Sequence, residues 1–120
     1  VCHRQLEATG RIENWRLNWK PGQEKPHFFW DSDSAKWIEA AAYCLETRRD
    51  KRLQKQVDDL VDLIAAAQQP DGYLNTYFTV VAPEKRWANL GMWHELYCAG
   101  HLIQAAVAHH RPARWRAAYP

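Results

Sequence analysis

The chain has 120 residues, of which 47% are hydrophobic and 25% charged, with a formal net charge of +2. This length allows at most one globular domain. No run approaches the roughly 18 apolar residues of a membrane span, and the N-terminus lacks the apolar segment of a signal peptide. Three arginines near the end (Arg111, Arg114 and Arg116) are too few to indicate a nucleic-acid-binding protein. We therefore expect neither nucleic acid nor a membrane as a partner.

The three cysteines (Cys2, Cys44 and Cys98) are isolated and odd in number. No CxxC pair is present, so the sequence indicates no disulfide framework and fixes no redox compartment. Cys44 and Cys98 lie within helical patterns and are most simply explained as small buried hydrophobic residues.

Residues 1–30 form the least regular part of the chain. Trp15, Leu17 and Trp19 alternate with polar residues, which is compatible with a short strand but is too short a pattern to establish one. We expect an extended segment with one helical turn near residues 5–8.

The first predicted helix runs from about Ser34 to Arg48. Four residues that favour helix N-caps precede its apolar positions: Asp31, Ser32, Asp33 and Ser34. The alanines at 40–42 would let another helix approach closely. A calcium-binding loop starting at Asp31 is excluded, because Lys36 stands where the turn requires glycine.

The second predicted helix has a single apolar stripe, which is typical of a helix on the outside of an assembly. The stripe contains Leu53, Val57, Leu60, Val61, Ile64 and Ala67. It ends at the turn signal Pro70-Asp71-Gly72. The following loop, about Pro70 to Asn89, is rich in aromatic residues, and a connection of this length is usually functional or disordered. Its aromatic content favours a functional loop.

The third predicted helix starts near residues 90–93 and ends before Arg111-Pro112. Two stripes follow its length. One contains Leu96, Gly100, Ile103 and Val107, and the other contains His94, Cys98, His101 and Ala105. The first two helices should be antiparallel because a short turn joins them, and the third should then run parallel to the first. The start of the first helix, the long loop and His94-Glu95 therefore meet at one end, which is the predicted site.

The sequence alone leaves the chemistry at this end open. The zinc-protease motif requires a second histidine four residues after His94, where Cys98 stands. His94 and Cys98 could share a metal, but His101 lies about 10 Å along the helix and could not join them. Asp31 or Asp33 could pair with Glu95 as glycosidase carboxylates, although no spacing is known. His94 could face a ligand or serve a structural role.

Three segments resemble the catalytic domain of glycoside hydrolase family 127, the β-L-arabinofuranosidase family. They are residues 29–43 (FWDSDSAKWIEAAAY), 66–78 (AAQQPDGYLNTYF) and 93–109 (WHELYCAGHLIQAAVAH). The resemblance covers roughly residues 4–110. It implies an all-α fold comprising about the first three helices of an incomplete (α/α)6 barrel, with the first and third predicted helices in the inner ring and the second in the outer ring.

The resemblance also implies retaining hydrolysis of a non-reducing terminal sugar, with a cysteine nucleophile in a zinc cluster and a glutamate acid/base. Those residues come later in full-length members, so we expect no catalytic residue, metal ligand or cofactor in this chain. His94 matches a family histidine that contacts the sugar, and Asp31, Ser32 and Asp33 match the family's DSD segment near the pocket.

We therefore expect two segments: residues 1–110, the N-terminal part of the catalytic domain, and residues 111–120, a divergent basic tail that suggests truncation or a shifted reading frame. The chain should bind carbohydrate, lack activity alone and be poorly soluble. Two alternatives remain: a stand-alone carbohydrate-binding or interaction module, and a barrel enzyme acting on acidic sugars. The latter would require basic residues at the site, and only Lys36, Lys85 and Arg86 are near it.

Overall fold

The computed structural model describes residues 2–118, with side chains for residues 2–110. Five α-helices follow one another: α1 (Cys2–Ala8), α2 (Trp30–Thr47), α3 (Lys51–Ala67), α4 (Tyr77–Val80) and α5 (Glu95–Ala118). Two short 3-10 turns, Glu13–Arg16 and Pro83–Lys85, separate them. The described range contains no β-strand, which confirms the all-α prediction.

The N-terminal segment is more ordered than the sequence suggested. Helix α1 occupies the whole of Cys2–Ala8, and the next segment forms a 3-10 turn that ends at Leu17 in a left-handed conformation. Trp15 is buried in the main core, with 1% of its surface exposed. The helical turn expected near residues 5–8 lies within α1. The extended conformation expected around it is wrong for residues 2–4 and 9–16, because burial of one large indole fixes this stretch against the helices.

Helix α2 begins at Trp30, four residues before the predicted start at Ser34. The Ser32 hydroxyl donates to the carbonyl of Phe29, and the N-cap position, Phe29, makes no side-chain capping bond. The polar residues from Asp31 to Ser34 consequently form the first turn of the helix. The capping prediction is wrong because the Asp31 carboxylate accepts hydrogen bonds from a distant loop instead of from its own helix.

Helix α3 confirms the single-stripe prediction. Its N-terminus is capped by Asp50, whose carboxylate accepts from the amides of Arg52 and Leu53 at 3.0 Å each. Val57 and Leu60 are buried in the core shared with α2, whereas the charged residues of the helix are exposed. Three residues separate α2 from α3, so the chain reverses direction and the two helices pack antiparallel.

The long loop after α3 has structure of its own. It contains α4 and the second 3-10 turn, and it packs around a small core of Tyr73, Phe78 and Ala82. The Phe78 and Trp93 rings are stacked with centroids 5.5 Å apart. The aromatic residues that excluded disorder thus fold this loop onto itself.

Helix α5 starts at Glu95, later than predicted, and continues through Arg111-Pro112 to Ala118. The start is displaced because His94 has a φ of 58°, a left-handed conformation that no α-helix includes. The expected stop before Pro112 is wrong: the helix continues through this proline, at the cost of one backbone hydrogen bond.

Helices α2 and α5 form the most extensive helix pair, and they run parallel. Lys36 contacts Tyr97 near their N-termini, and Ala41 shares the main core with Ala105 further along. Small residues line the contact from both helices: Ala35, Ala41, Ala42, Cys98, Ala105 and Ala108 are all buried. They allow the two helix axes to approach closely, as expected for Ala41 and Ala42, whereas Ala40 is exposed.

Candidate functional site

The start of α2, the long loop and the start of α5 meet at one end of the structure, as predicted from the order of the helices. Asp31 at the start of α2 binds Thr76 of the loop, and Cys98 in the first turns of α5 donates to the carbonyl of Phe28 at 3.7 Å. These contacts join segments 45 and 70 residues apart in sequence. The start of α2, the long loop and the start of α5 therefore pack against one another at one end of the structure.

Asp31 is a buried anchor for the loop, with 2% of its surface exposed. Its carboxylate accepts from the Thr76 amide at 2.8 Å and from the Thr76 hydroxyl at 2.6 Å. Burial raises the pKa of Asp31 to about 6, although both hydrogen bonds from Thr76 act in the opposite direction. The side chain of Asn14 donates to the same hydroxyl, so the N-terminal segment joins the network.

Ser32 and Asp33 also have partners inside the chain. Ser32 is buried, donates to the Phe29 carbonyl and accepts from Lys36 at 3.4 Å. Asp33 accepts from the Arg11 guanidinium at 2.6 Å, and this guanidinium lies 4.6 Å from the centre of the Trp30 ring. The DSD segment thus organises the start of α2, and its contact with a sugar stays a prediction.

His94 presents a hydrogen-bonding atom to the surface. Its Nδ1 lies 2.7 Å from the Met92 carbonyl, which can only accept, so Nδ1 carries the proton. Among the described residues, Nε2 has no hydrogen-bond partner, and in the neutral ring it is an acceptor. The rings of Phe28 and Tyr97 each lie 5.4 Å from the imidazole and hold it in place.

Lys36 and Tyr97 lie beside His94. The sequence indicated a role at the site for Lys36 only as a cation for acidic sugars and did not single out Tyr97. The Lys36 ammonium donates to the Tyr97 hydroxyl oxygen at 2.6 Å, which leaves the tyrosine proton free to be donated elsewhere. The His101 ring meets the edge of Tyr97 with centroids 4.7 Å apart. Tyr97 follows His94 by three residues, so the helical spacing was the available signal. We call His94, Tyr97 and Lys36 the polar wall.

Glu95 faces a different set of partners. It is 3% exposed, and its carboxylate accepts from the Tyr73 hydroxyl and from the Trp87 amide at 3.0 and 3.1 Å. Burial, followed by the hydrogen bond to Glu95, raises the pKa of Tyr73 far above its usual range. Both oxygens of Asp31 and both oxygens of Glu95 therefore accept hydrogen bonds from donors inside the chain, which argues against the paired-carboxylate mechanism considered from the sequence.

The sequence matches one known protein family over almost its whole length. The family model described as "Beta-L-arabinofuranosidase, GH127 catalytic domain" matches residues 3–119. The chain belongs to glycoside hydrolase family 127. The match includes most of the segment 111–120 that we predicted to be a divergent basic tail. The side chains of that segment, including its three arginines, lie outside the described residues, and the boundary at 110 stays a prediction.

Individual family 127 relatives agree with this assignment. The non-reducing end β-L-arabinofuranosidase of Bifidobacterium longum subsp. longum is 46% identical over 87 residues, which cover 69% of this chain and 13% of that enzyme. The crystal structure of Ara127N-Se, a GH127 β-L-arabinofuranosidase from Geobacillus stearothermophilus T6, matches with a TM-score of 0.80 and 56% identity over 87% of this chain. The GH127 β-arabinofuranosidase BT3674 matches with a TM-score of 0.82 and 38% identity over 92%.

This family 127 chain spans a small part of its relatives. It covers 17% and 19% of the two matched structures, respectively. The family fold is an (α/α)6 barrel, and the helices described above correspond to about its first three helices. The fold prediction is confirmed.

The residues described do not fit the zinc cluster that the family resemblance implies. Within residues 2–110, no group of three or more histidine, cysteine or acidic side chains is arranged to hold a metal ion. Burial raises the pKa of the Cys98 thiol to about 12, and this thiol donates to a carbonyl. Because zinc binds thiolate, Cys98 is not poised to be a ligand. Cys2 and Cys44 are exposed and occupy separate helices.

None of the helices in the described part of the chain is long and apolar enough to cross a membrane.

Proposed function

We propose that this chain forms one wall of the sugar-binding pocket of a family 127 glycoside hydrolase and carries no catalytic group. The polar wall is the observation that carries the proposal. It offers an acceptor at His94 Nε2, a donor at the Tyr97 hydroxyl and a cationic donor at Lys36. Neighbouring sugar hydroxyls both donate and accept, so this combination suits a polyol.

Two of the relatives reported above are named β-L-arabinofuranosidases and the third is named a β-arabinofuranosidase. These names support a terminal arabinofuranoside or a related sugar as the ligand. Aromatic rings beside the polar wall (Phe28, Phe29 and His101) add apolar surface for the carbon face of a sugar. The nucleophile, the acid/base and a zinc ion would come from parts of the catalytic domain that this chain does not contain.

The alternatives are less well supported. A stand-alone binding module should cover its helices with polar residues, yet Leu96, Ile103 and Val107 on α5 are more than half exposed. An enzyme acting on acidic sugars needs several free cations. Arg86 is instead bonded to Asp71 at 3.2 Å and lies over the Tyr73 ring, and Lys85 lies 5.6 Å from the Trp93 ring centre.

The proposal is tested by titrating the isotopically labelled chain with L-arabinose and following the side-chain NMR signals of His94 and Tyr97. A single wall should bind weakly, with a dissociation constant of about 1 mM or higher, because it makes only a few hydrogen bonds. His94→Ala should abolish the shifts. The exposed His110 provides a matched control, and His110→Ala should leave them intact. Shifts that survive His94→Ala, or signals that L-arabinose never moves, would overturn the proposal.

A further inference from the structure

The backbone around Glu95 contains two unusual conformations. Trp87 has a φ of 61° and His94 a φ of 58°, and neither residue is glycine. Left-handed conformations disfavour residues with a Cβ, so the surrounding contacts must hold both of them in place. Trp87 is the residue whose amide Glu95 binds, and His94 immediately precedes Glu95.

The Glu95 carboxylate connects these two positions. Both of its oxygens accept from the Trp87 amide, and Oε1 also accepts from the Tyr73 hydroxyl. The first residue of α5 is thereby fastened to loop residues that lie 8 and 22 positions earlier in the chain. These hydrogen bonds close the segment from Trp87 to Glu95 into a loop, and His94 lies where this loop joins helix α5.

The partners of Glu95 are themselves fixed. The Tyr73 ring meets the Trp87 indole edge to face at 5.2 Å, and the Arg86 guanidinium lies 3.9 Å from the Tyr73 ring centre. The Glu95 carboxylate is therefore bonded to residues that are held by contacts of their own. A displacement of Trp87 or Tyr73 would be transmitted through Glu95 to the start of α5.

We propose that Glu95 is a positioning residue that sets the backbone of His94 and thereby the direction of its imidazole in the polar wall. Glu95 does not act as an acid or base here, because internal donors occupy both carboxylate oxygens. This inference rests on the proposed sugar-binding role of His94. It deepens that role by naming the group that fixes the ring.

The test uses Glu95→Gln, which keeps the size of the side chain but replaces one acceptor oxygen with a donor. Hydrogen exchange of the Trp87 amide and the NMR signals of the His94 ring are measured in the whole chain. We expect exchange at Trp87 to accelerate by at least about tenfold and the His94 ring signals to shift from their wild-type positions. L-arabinose affinity should fall by a similar factor.

Tyr73→Phe is the second variant, since it removes one hydrogen bond and keeps the ring. It should move the His94 signals in the same direction by a smaller amount, and it serves as the test if Glu95→Gln does not fold. Tyr43→Phe is the matched control. Tyr43 is an exposed residue of α2 whose hydroxyl bonds Glu39, so the His94 signals should not change.

The exchange and ring signals do not depend on sugar binding, so the two proposals can fail separately. If the wild-type chain does not bind L-arabinose but Glu95→Gln still shifts the NMR signals of the His94 ring, the proposed function is overturned and the positioning role is supported. The positioning role would be overturned if Glu95→Gln and Tyr73→Phe both exchanged the Trp87 amide at the wild-type rate and left the His94 ring signals unchanged.

Discussion

Helices α3 and α5 differ in how far this chain covers them. The large apolar residues of α3 face the core, and Val57 and Leu60 are at most 1% exposed. On the described part of α5 the buried apolar residues are small (Cys98, Ala105 and Ala108), whereas Ile103 and Val107 are 65% and 51% exposed. An outer barrel helix needs one apolar face, and an inner helix needs more than one. The apolar face of α3 is therefore covered in this chain, whereas α5 is covered on one side only. This agrees with the prediction that α3 belongs to the outer ring of the barrel and α5 to the inner ring.

The largest expected effect comes from truncating the covered side. Leu60→Ala should lower the free energy of unfolding by between about 2 and 5 kcal/mol, because it leaves a cavity in the main core. Ile103→Ala is the matched substitution on α5 and should cost less than about 0.5 kcal/mol, because its side chain is already in water. Urea unfolding at low protein concentration measures both. Equal losses would show that α5 is covered in this chain.

The buried hydrogen bonds between Asp31 and Thr76 can be tested through the pH dependence of the free energy of unfolding. Its pKa is raised from 3.8 to about 6, so the folded state holds the proton more tightly than the unfolded state does. Its contribution to stability is therefore full below pH 3.8 and is lost as the pH rises to about 6, a change of about 3 kcal/mol.

The measurement is the free energy of unfolding between pH 4 and 7, compared with Asp31→Asn, which should lack this component. Thr76→Val removes one of the hydrogen bonds that hold the Asp31 pKa down. The upper end of the pH range over which stability is lost should therefore move to higher pH, whereas the lower end, set by the unfolded state, should stay in place. A wild-type curve that matches Asp31→Asn throughout this range would contradict the burial of Asp31.

The exposed side of α5 should make the chain poorly soluble, since apolar patches of this kind promote association. The double substitution Ile103→Glu with Val107→Glu should raise the concentration at which the chain associates by at least about tenfold, or 1.4 kcal/mol. Gln104→Glu with Ala106→Glu adds the same charges at exposed positions of the same helix and should have a smaller effect. Analytical ultracentrifugation measures this, and a wild-type chain that stays monomeric at high concentration would contradict it.

Local patterns predicted much of this architecture. The stripe of α3, the antiparallel and parallel packing, and the meeting of Asp31 with the loop followed from periodicity and connection lengths. The start of α2 was misplaced because Asp31 prefers a tertiary partner to its own helix. The start of α5 was misplaced because the left-handed backbone of His94 depends on contacts that no local pattern encodes.

The site was predicted less completely than the fold. His94 was identified through its family position, but the polar wall also needs Lys36 and Tyr97, whose hydrogen bond joins residues 61 positions apart. The role of Glu95 could not be predicted for the same reason, because its partners Tyr73 and Trp87 are brought together only by the folded loop. Helix spacing relates residues within one turn and carries no information about such distant pairs.

The central claim is that this chain holds a sugar-contacting wall without the groups that perform the chemistry. Turnover of a chromogenic β-L-arabinofuranoside by the purified chain, with zinc supplied, tests it most directly. We expect no release of L-arabinose above the rate without protein, because the thiols and carboxylates of the described residues form no metal site and the two buried carboxylates are bonded to donors inside the chain. Hydrolysis that the wild-type chain performs and His94→Ala loses would contradict it.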